Sequence, residues 1–347
     1  PHTAGIVDRI TIARTLRTDD TNHMFAELLM NTGWRRFGRP SLGSWVTYGL
    51  GSQTQEMPAF LVLGSKPRSK SANYGNGFLP SQFQGTVLRD AGDPILNLAN
   101  PPGVTPGRQR LSIDAINRLN LRRLEATGDD EIRARIASYE MAFRMQARAP
   151  ELLSLGGETR ETLGLYGIDD PAKPSFARNC LLARRLVEKG VRFVQVFHGD
   201  WDHHTDIGKR LPHECRVTDQ GSAALVIDLA RRGLLDDTLV IWGGELGRTP
   251  VAQKPMAAGG RVGRDHQIEA FTMWLAGGGV RPGQVIGDTN DLGCLPTEDG
   301  WHVYDLQATI LHALGLDHER LTYRYEGREF RLTDIHGEVK PELFGRA

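Results

Sequence analysis

The sequence predicts an α/β protein with a mostly parallel central sheet, helices on both faces and a small C-terminal hairpin. Three observations predict it. In the second half, helix-type and strand-type stretches alternate, the order expected of strands running side by side in one direction. Three of the strand-type stretches are bordered by glycines and by acids or imidazoles, as at the ligand-bearing edge of an open sheet. Glycine is 40 of 347 residues, about 12% against a usual ~7%, which suits many strand-to-loop corners better than a helical bundle.

Taken in order, residues 1–10 read as the end of a helix with Ile6, Val7 and Ile10 on one side, and residues 10–13 as a strand. Met24–Asn31 reads as a helix closed by Thr32-Gly33. Ala59–Leu63 is strand-like. Residues from about 64 to 110 are rich in Gly, Pro, Asn and Ser and predict an irregular excursion, the kind of loop that sits at a functional mouth. Its aromatic residues Tyr74, Phe78 and Phe83 are candidates to line that mouth. A helical insert follows over about 111–165. Trp45 and Tyr48 read as packing residues.

Ser175–Lys189 is an amphipathic helix ending at Gly190, and Val191–Phe197 a strand. Asp219–Arg232 is a helix, Thr238–Trp242 and Phe271–Leu275 are strands, and Tyr304–Leu314 is a helix that stops at Gly315. His302 and Asp305 read as the start of that helix. Tyr323–Leu332 forms the hairpin around Glu326-Gly327. No linker interrupts the chain, so one domain over 1–347 is expected.

Lys plus Arg equals Asp plus Glu at 42 each, so no net field favours nucleic acid or an anionic membrane. No apolar run approaches the ~20 residues of a membrane span. Cys180, Cys215 and Cys294 are too far apart for a zinc-type CxxC or a dense disulfide frame. The start, PHTAGIVDR, has neither an initiator Met nor the pattern of a signal peptide.

Chemistry concentrates in three stretches. Thr238–Pro250, TLVIWGGELGRTP, is a buried-type strand that breaks into two glycines and presents Glu245 and Arg248. The strand Val191–Phe197 runs into His198-Gly199-Asp200-Trp201-Asp202-His203-His204, with three histidines and two aspartates in seven residues. Divalent first-row ions, Zn²⁺ among them, take imidazole and carboxylate readily. Asp202 and His204 are two apart and in extended backbone point to the same side. Asp200 and His204 form an alternative pair. The third stretch is Gly263-Arg264-Asp265-His266-Gln267, just before Phe271–Leu275. Side-by-side strand edges would bring all three together.

WDHH, GGELGRTP, GRDH followed by FTMWLAGGGV, and HVYDLQATILHALGLDHERLTYRYEGREFRLTD together resemble a sulfatase-like family of unknown function, usually exported, within the alkaline-phosphatase superfamily. The resemblance runs over nearly the whole chain. It implies a metal-dependent hydrolase of phosphate or sulfate esters acting on a small molecule or carbohydrate, and an exported protein. It implies a divalent ion, Zn first, with Ca, Mg or Mn as alternatives. Asp202 or Asp200, His204, Glu245 and His266 would be the ligands; Glu245-Leu246 stands where the superfamily has Asp-His, so a second ion would be bound differently. The helix closed by Thr32-Gly33 resembles the one whose start carries the nucleophile. That position is His23, a candidate ligand, phosphoryl acceptor or acid/base, with Thr21 as the alternative nucleophile. No Cys-x-Pro-x-Arg motif occurs, which disfavours a formylglycine sulfatase. Arg14, Arg17 and Arg248 are candidates to clamp an anionic ester. The resemblance also places an aspartate-bearing first strand before Pro1, so this chain is expected to lack that ligand. A non-catalytic binding or structural protein and a phosphoryl-transferring mutase are the rival readings.

Overall fold

The computed structural model describes residues 1–64, 67–90, 95, 99–253 and 260–345, without the side chains of 147–150 and 152. After one 3-10 turn at Thr3–Ile6, where a helix end was expected, come β1 (Thr11–Arg17), α1 (His23–Thr32), α2 (Leu42–Leu50) and β2 (Phe60–Gly64). The excursion contains 3-10 turns at Lys70–Tyr74 and Ser81–Phe83 and the short β3 (Thr86–Val87). The helical insert is an antiparallel pair with a small third helix: α3 (Pro106–Thr127), α4 (Asp130–Leu153) and α5 (Arg160–Tyr166). Then follow α6 (Phe176–Glu188), β4 (Phe193–Phe197), α7 (Ile207–Arg231), β5 (Val240–Trp242), β6 (Gly247–Arg248), β7 (His266–Gln267) and β8 (Phe271–Ala276). The chain closes with β9 (Val285–Ile286), β10 (Trp301–His302), α8 (Val303–Ala313) and the hairpin β11 (Tyr323–Tyr325) and β12 (Arg328–Phe330).

The expected mostly parallel central sheet is only partly present. One sheet, in the order β3-β2-β4, is parallel throughout. The other, in the order β10-β1-β8-β5 with β9 also on β1, is mixed. There β1 is parallel to β10 and β9, whereas β8 runs antiparallel to both β1 and β5. The physical reason lies between β5 and β8. Parallel neighbours need a crossover, usually a helix, and no helix occurs there among the described residues. The chain instead makes a loop carrying the β6–β7 ladder and returns in the opposite sense.

α6 covers the parallel sheet. Leu181, Leu182 and Leu186 bury against Leu61, Leu63 and Val191, each such side chain contributing roughly 1.5–3 kcal/mol. Its Arg184 is also buried and reaches Glu158 (2.9 Å), Glu188 (2.7 Å) and Asp228 (2.8 Å), tying α6 to α7 and the start of α5. α8 covers the mixed sheet, with Leu306 and Ile310 on Ala13, Leu16, Met273 and Leu275.

Local signals account for most boundaries. α1 starts at Asn22, whose side chain accepts from Met24 N, and stops at Gly33, at φ 64°. A Cβ on Gly33 would stand 1.8 Å from the Leu332 carbonyl oxygen, so only glycine fits. α8 starts with the expected His302–Asp305 pair, as a capping box. α7 begins twelve residues ahead of Asp219, because the helix continues through Pro212, a residue that ordinarily breaks one. Phe78 is stacked against Tyr325 and Tyr323 and packs on Phe330, so this ring of the excursion serves hairpin packing rather than an open mouth.

Candidate metal centre

Four chain segments meet at one point. His23 is the first residue of α1, directed by the Asn22 cap. Asp202 and His204 lie on the loop from β4 to α7. Glu245 follows β5. Arg248 and His266 face each other across the β6–β7 ladder. Gly263 lets the His266 loop approach the His204 loop: a Cβ there would stand 2.1 Å from the His204 carbonyl carbon, and Arg264 N donates to His203 O at 3.0 Å.

The ligand-type atoms of His23, Asp202, His204 and His266 all lie within 4.8 Å of one another, a group that could hold a metal ion. Asp202 Oδ1 is the hub, 3.1 Å from His23 Nε2, 2.9 Å from His204 Nε2 and 3.3 Å from His266 Nε2. The Nε2 atoms of His204 and His266 are 3.0 Å apart. Ligands at ~2.1 Å around a tetrahedral ion lie about 3.4 Å from each other, so the set is close to ion-binding spacing.

The opposite ring nitrogens explain why these atoms point inward. His23 Nδ1 is 2.5 Å from Glu245 Oε1, and His204 Nδ1 is 2.8 Å from Gln253 Oε1. His266 Nδ1 meets the Thr21 carbonyl oxygen. All three partners are acceptors, which a proton on each Nδ1 satisfies; in its neutral form each ring then turns an Nε2 lone pair toward the centre. Two such lone pairs at 3.0 Å repel unless a proton or cation lies between them. His23 Nε2 is moreover buried, with Asp202 Oδ1 at 3.1 Å facing it. A ligating histidine ordinarily donates its other N–H to a carboxylate, backbone carbonyl or water; Glu245 and the Thr21 carbonyl are such partners, and Gln253 Oε1 takes the third place.

The charges agree with this arrangement. Burial pulls the Asp202 carboxyl upward, but hydrogen bonds from Arg248, His23 and His266 outweigh it and hold the group well below the usual carboxylate range. The Glu245 hydrogen bond raises the His23 imidazole above its ordinary value, burial opposes it, and Asp202 adds to the rise. Arg248 Nη2 lies 2.7 Å from Asp202 Oδ1, and Arg68 Nη2 2.7 Å from Asp202 Oδ2.

Of the residues singled out from the sequence, His23, Asp202, His204, His266, Glu245 and Arg248 come together. Glu245 reaches the cluster through His23. Thr21 joins by its backbone oxygen, and its side chain is exposed. Asp200 is exposed, at φ 69°, and outside the four-atom group. Arg14 pairs with Asp288, and Arg17 is exposed at the end of β1. Arg68 and Gln253 were not foreseen, being isolated polar residues in loops with no motif to mark them.

Residues 1–344 match the family model described as "Protein of unknown function (DUF1501)". No curated protein matches the sequence. Among solved structures, the chain is similar to Ps i-CgsB in complex with k-i-k-neocarrahexaose, with 12% identity and TM-score 0.42, over 91% of this chain and 66% of that one. It is similar to the phosphonate monoester hydrolase SpPMH from Silicibacter pomeroyi, with 12% identity and TM-score 0.38, over 100% of this chain and 72% of that one. It is also similar to the PsFucS1 sulfatase from Pseudoalteromonas sp., with 13% identity and TM-score 0.39, over 91% of this chain and 62% of that one. The chain thus spans roughly two thirds of the length of these proteins.

Proposed function

For a chain that belongs to the DUF1501 family over residues 1–344, we propose a metal-dependent hydrolase of phosphate or sulfate esters. The observation that carries the reading is the convergence of three Nε2 atoms and one carboxylate oxygen, with an acceptor at each imidazole's Nδ1. His23, Asp202, His204 and His266 would hold the ion. Three imidazoles and a carboxylate suit Zn²⁺ better than Ca²⁺, Mg²⁺ or Mn²⁺, which favour oxygen donors. A divalent ion bound there would polarise an ester oxygen and lower the pKa of a water.

The remaining residues divide the work. Glu245 holds the His23 ring and its tautomer, acting behind the ligand rather than as one. Arg248 and Arg68 bring two fixed positive charges to the same point, which selects an anionic ester group. Both nitrogens of His23 are committed, one to Glu245 and one to the cluster, which argues against its serving as the phosphoryl acceptor. That leaves the Thr21 hydroxyl or a water as nucleophile.

The test is turnover of an aryl phosphate and an aryl sulfate by zinc-loaded protein, with His204→Ala as control. Turnover of either ester that vanishes in the variant and after chelation is the expected result. A zinc-loaded chain inert toward both overturns the hydrolase and leaves the binding protein.

A further inference from the structure

The turn that delivers Arg68 is fastened to α1 by one carboxylate. Glu27 lies four residues after His23, hence on the same face of the helix. Its Oε1 accepts from Arg68 N at 3.2 Å, and its Oε2 from Ser69 N at 2.8 Å and from Asn73 Nδ2 at 3.0 Å. Ser69 Oγ donates to Met24 O at 2.7 Å. Ser69 and Asn73 are buried, at 3% and 0% exposure. A polar chain continues behind them: Gln195 Nε2 on β4 donates to Asn31 Oδ1 at 2.6 Å, and Asn31 Nδ2 lies 3.4 Å from Asn73 Oδ1. The backbone of 68–73 is therefore fixed from below, while the Arg68 side chain, 56% exposed, extends over Asp202. An exposed ion pair of this kind adds little to stability, so the buried hydrogen bonds of Glu27, and not the Arg68–Asp202 contact, hold the turn in place.

We propose that Glu27 is a positioning residue that pins the turn 68–73 on α1 so that Arg68 meets the anionic group of a bound ester. The inference rests on the ester-site reading above. Arg68 touches the ligand; Glu27 acts only through it.

The experiment measures binding of inorganic phosphate and sulfate to the zinc-loaded full chain by calorimetry, for wild type, Arg68→Ala, Glu27→Ala, Glu27→Gln and the double alanine variant. Loss of a charge-assisted hydrogen bond corresponds to about 10- to 100-fold in affinity. Arg68→Ala should lose that much, Glu27→Ala a comparable amount, and the double variant no more than either alone. Glu27→Gln keeps an acceptor oxygen for the turn and should restore most of the affinity. A general structural defect from Glu27→Ala would instead add to the Arg68→Ala loss, and additive losses, or wild-type affinity in Glu27→Ala, overturn the proposal. Hydrogen exchange of amides 68–73 in metal-free protein separates the pin from the ester site. Protection that disappears in Glu27→Ala supports the pin even if wild type turns over no ester, and unchanged protection refutes it. A wild type that takes up zinc but neither anion overturns the role given to Arg68.

Discussion

Glu245→Gln separates two ways in which Glu245 can serve the proposed metal centre. The sequence presents it as a ligand; the geometry puts its Oε1 at 2.5 Å from His23 Nδ1, behind the ring. In the second arrangement the change removes one charge-assisted hydrogen bond and leaves all four converging atoms in place. Replacing such a supporting partner typically costs 10–100-fold in metal affinity, or about 1.4–2.7 kcal/mol at ~1.36 kcal/mol per tenfold. The glutamine oxygen can still accept from Nδ1, so the lower half of that range is expected, and Glu245→Ala should reach the upper half. Zinc dissociation constants from competition with a chromogenic chelator, with His204→Ala measured alongside as a true ligand deletion, give the comparison. Equal losses in Glu245→Gln and His204→Ala, or no change at all in Glu245→Ala, would refute the reasoning.

Three further outcomes follow from the same geometry. Gly263→Ala drives a methyl into the His203–His204 backbone and should weaken zinc binding at least tenfold by parting the two ligand loops, while far-UV circular dichroism stays unchanged; wild-type affinity would contradict the close approach. Arg184→Ala leaves Asp228 and Glu158, exposed only 6% and 7% at their side chains, with Arg232 and Arg185 as remaining partners, and should cost about 3 kcal/mol in urea unfolding; a loss below about 1 kcal/mol would contradict the buried network. His23 has its folded value raised above 6.5. In metal-free protein its contribution to stability is therefore complete below the unfolded value and disappears as pH rises through the folded one. Because the ion must displace that proton, apparent zinc affinity should fall as pH drops below the raised value, by up to about tenfold per unit for this residue, a slope that His23→Ala lessens.

Much of the fold can be read from periodicity, because α6, β4, β5, β8 and α8 each pair a regular apolar pattern with a cap or a glycine stop. The direction of β8 follows from a quieter feature, the lack of a helix among the described residues between Trp242 and Phe271. Alternation of helix and strand elsewhere in the chain masks that gap. α2 is hidden because Gly43 and Gly49 interrupt a run whose burial comes from tertiary packing on Phe60 and Phe193. At the site, His204 and His266 stand out only together, because successive strands each carry imidazole or carboxylate beside them. Gln253, Arg68 and Glu27 carry no such mark. Each acts through a contact between segments far apart in sequence, made only when the chain is folded. The same limit applies to Glu245, whose contact with the His23 ring has no mark in the local sequence.

The central claim is that three imidazoles and one carboxylate share a single cation. Elemental analysis of chelator-stripped protein re-equilibrated with zinc tests it most directly. The account predicts a single tightly held zinc per chain, lost on dialysis from His266→Ala and raising the unfolding temperature of the wild type. Protein that emerges free of zinc, with an unfolding temperature indifferent to it, would contradict the account.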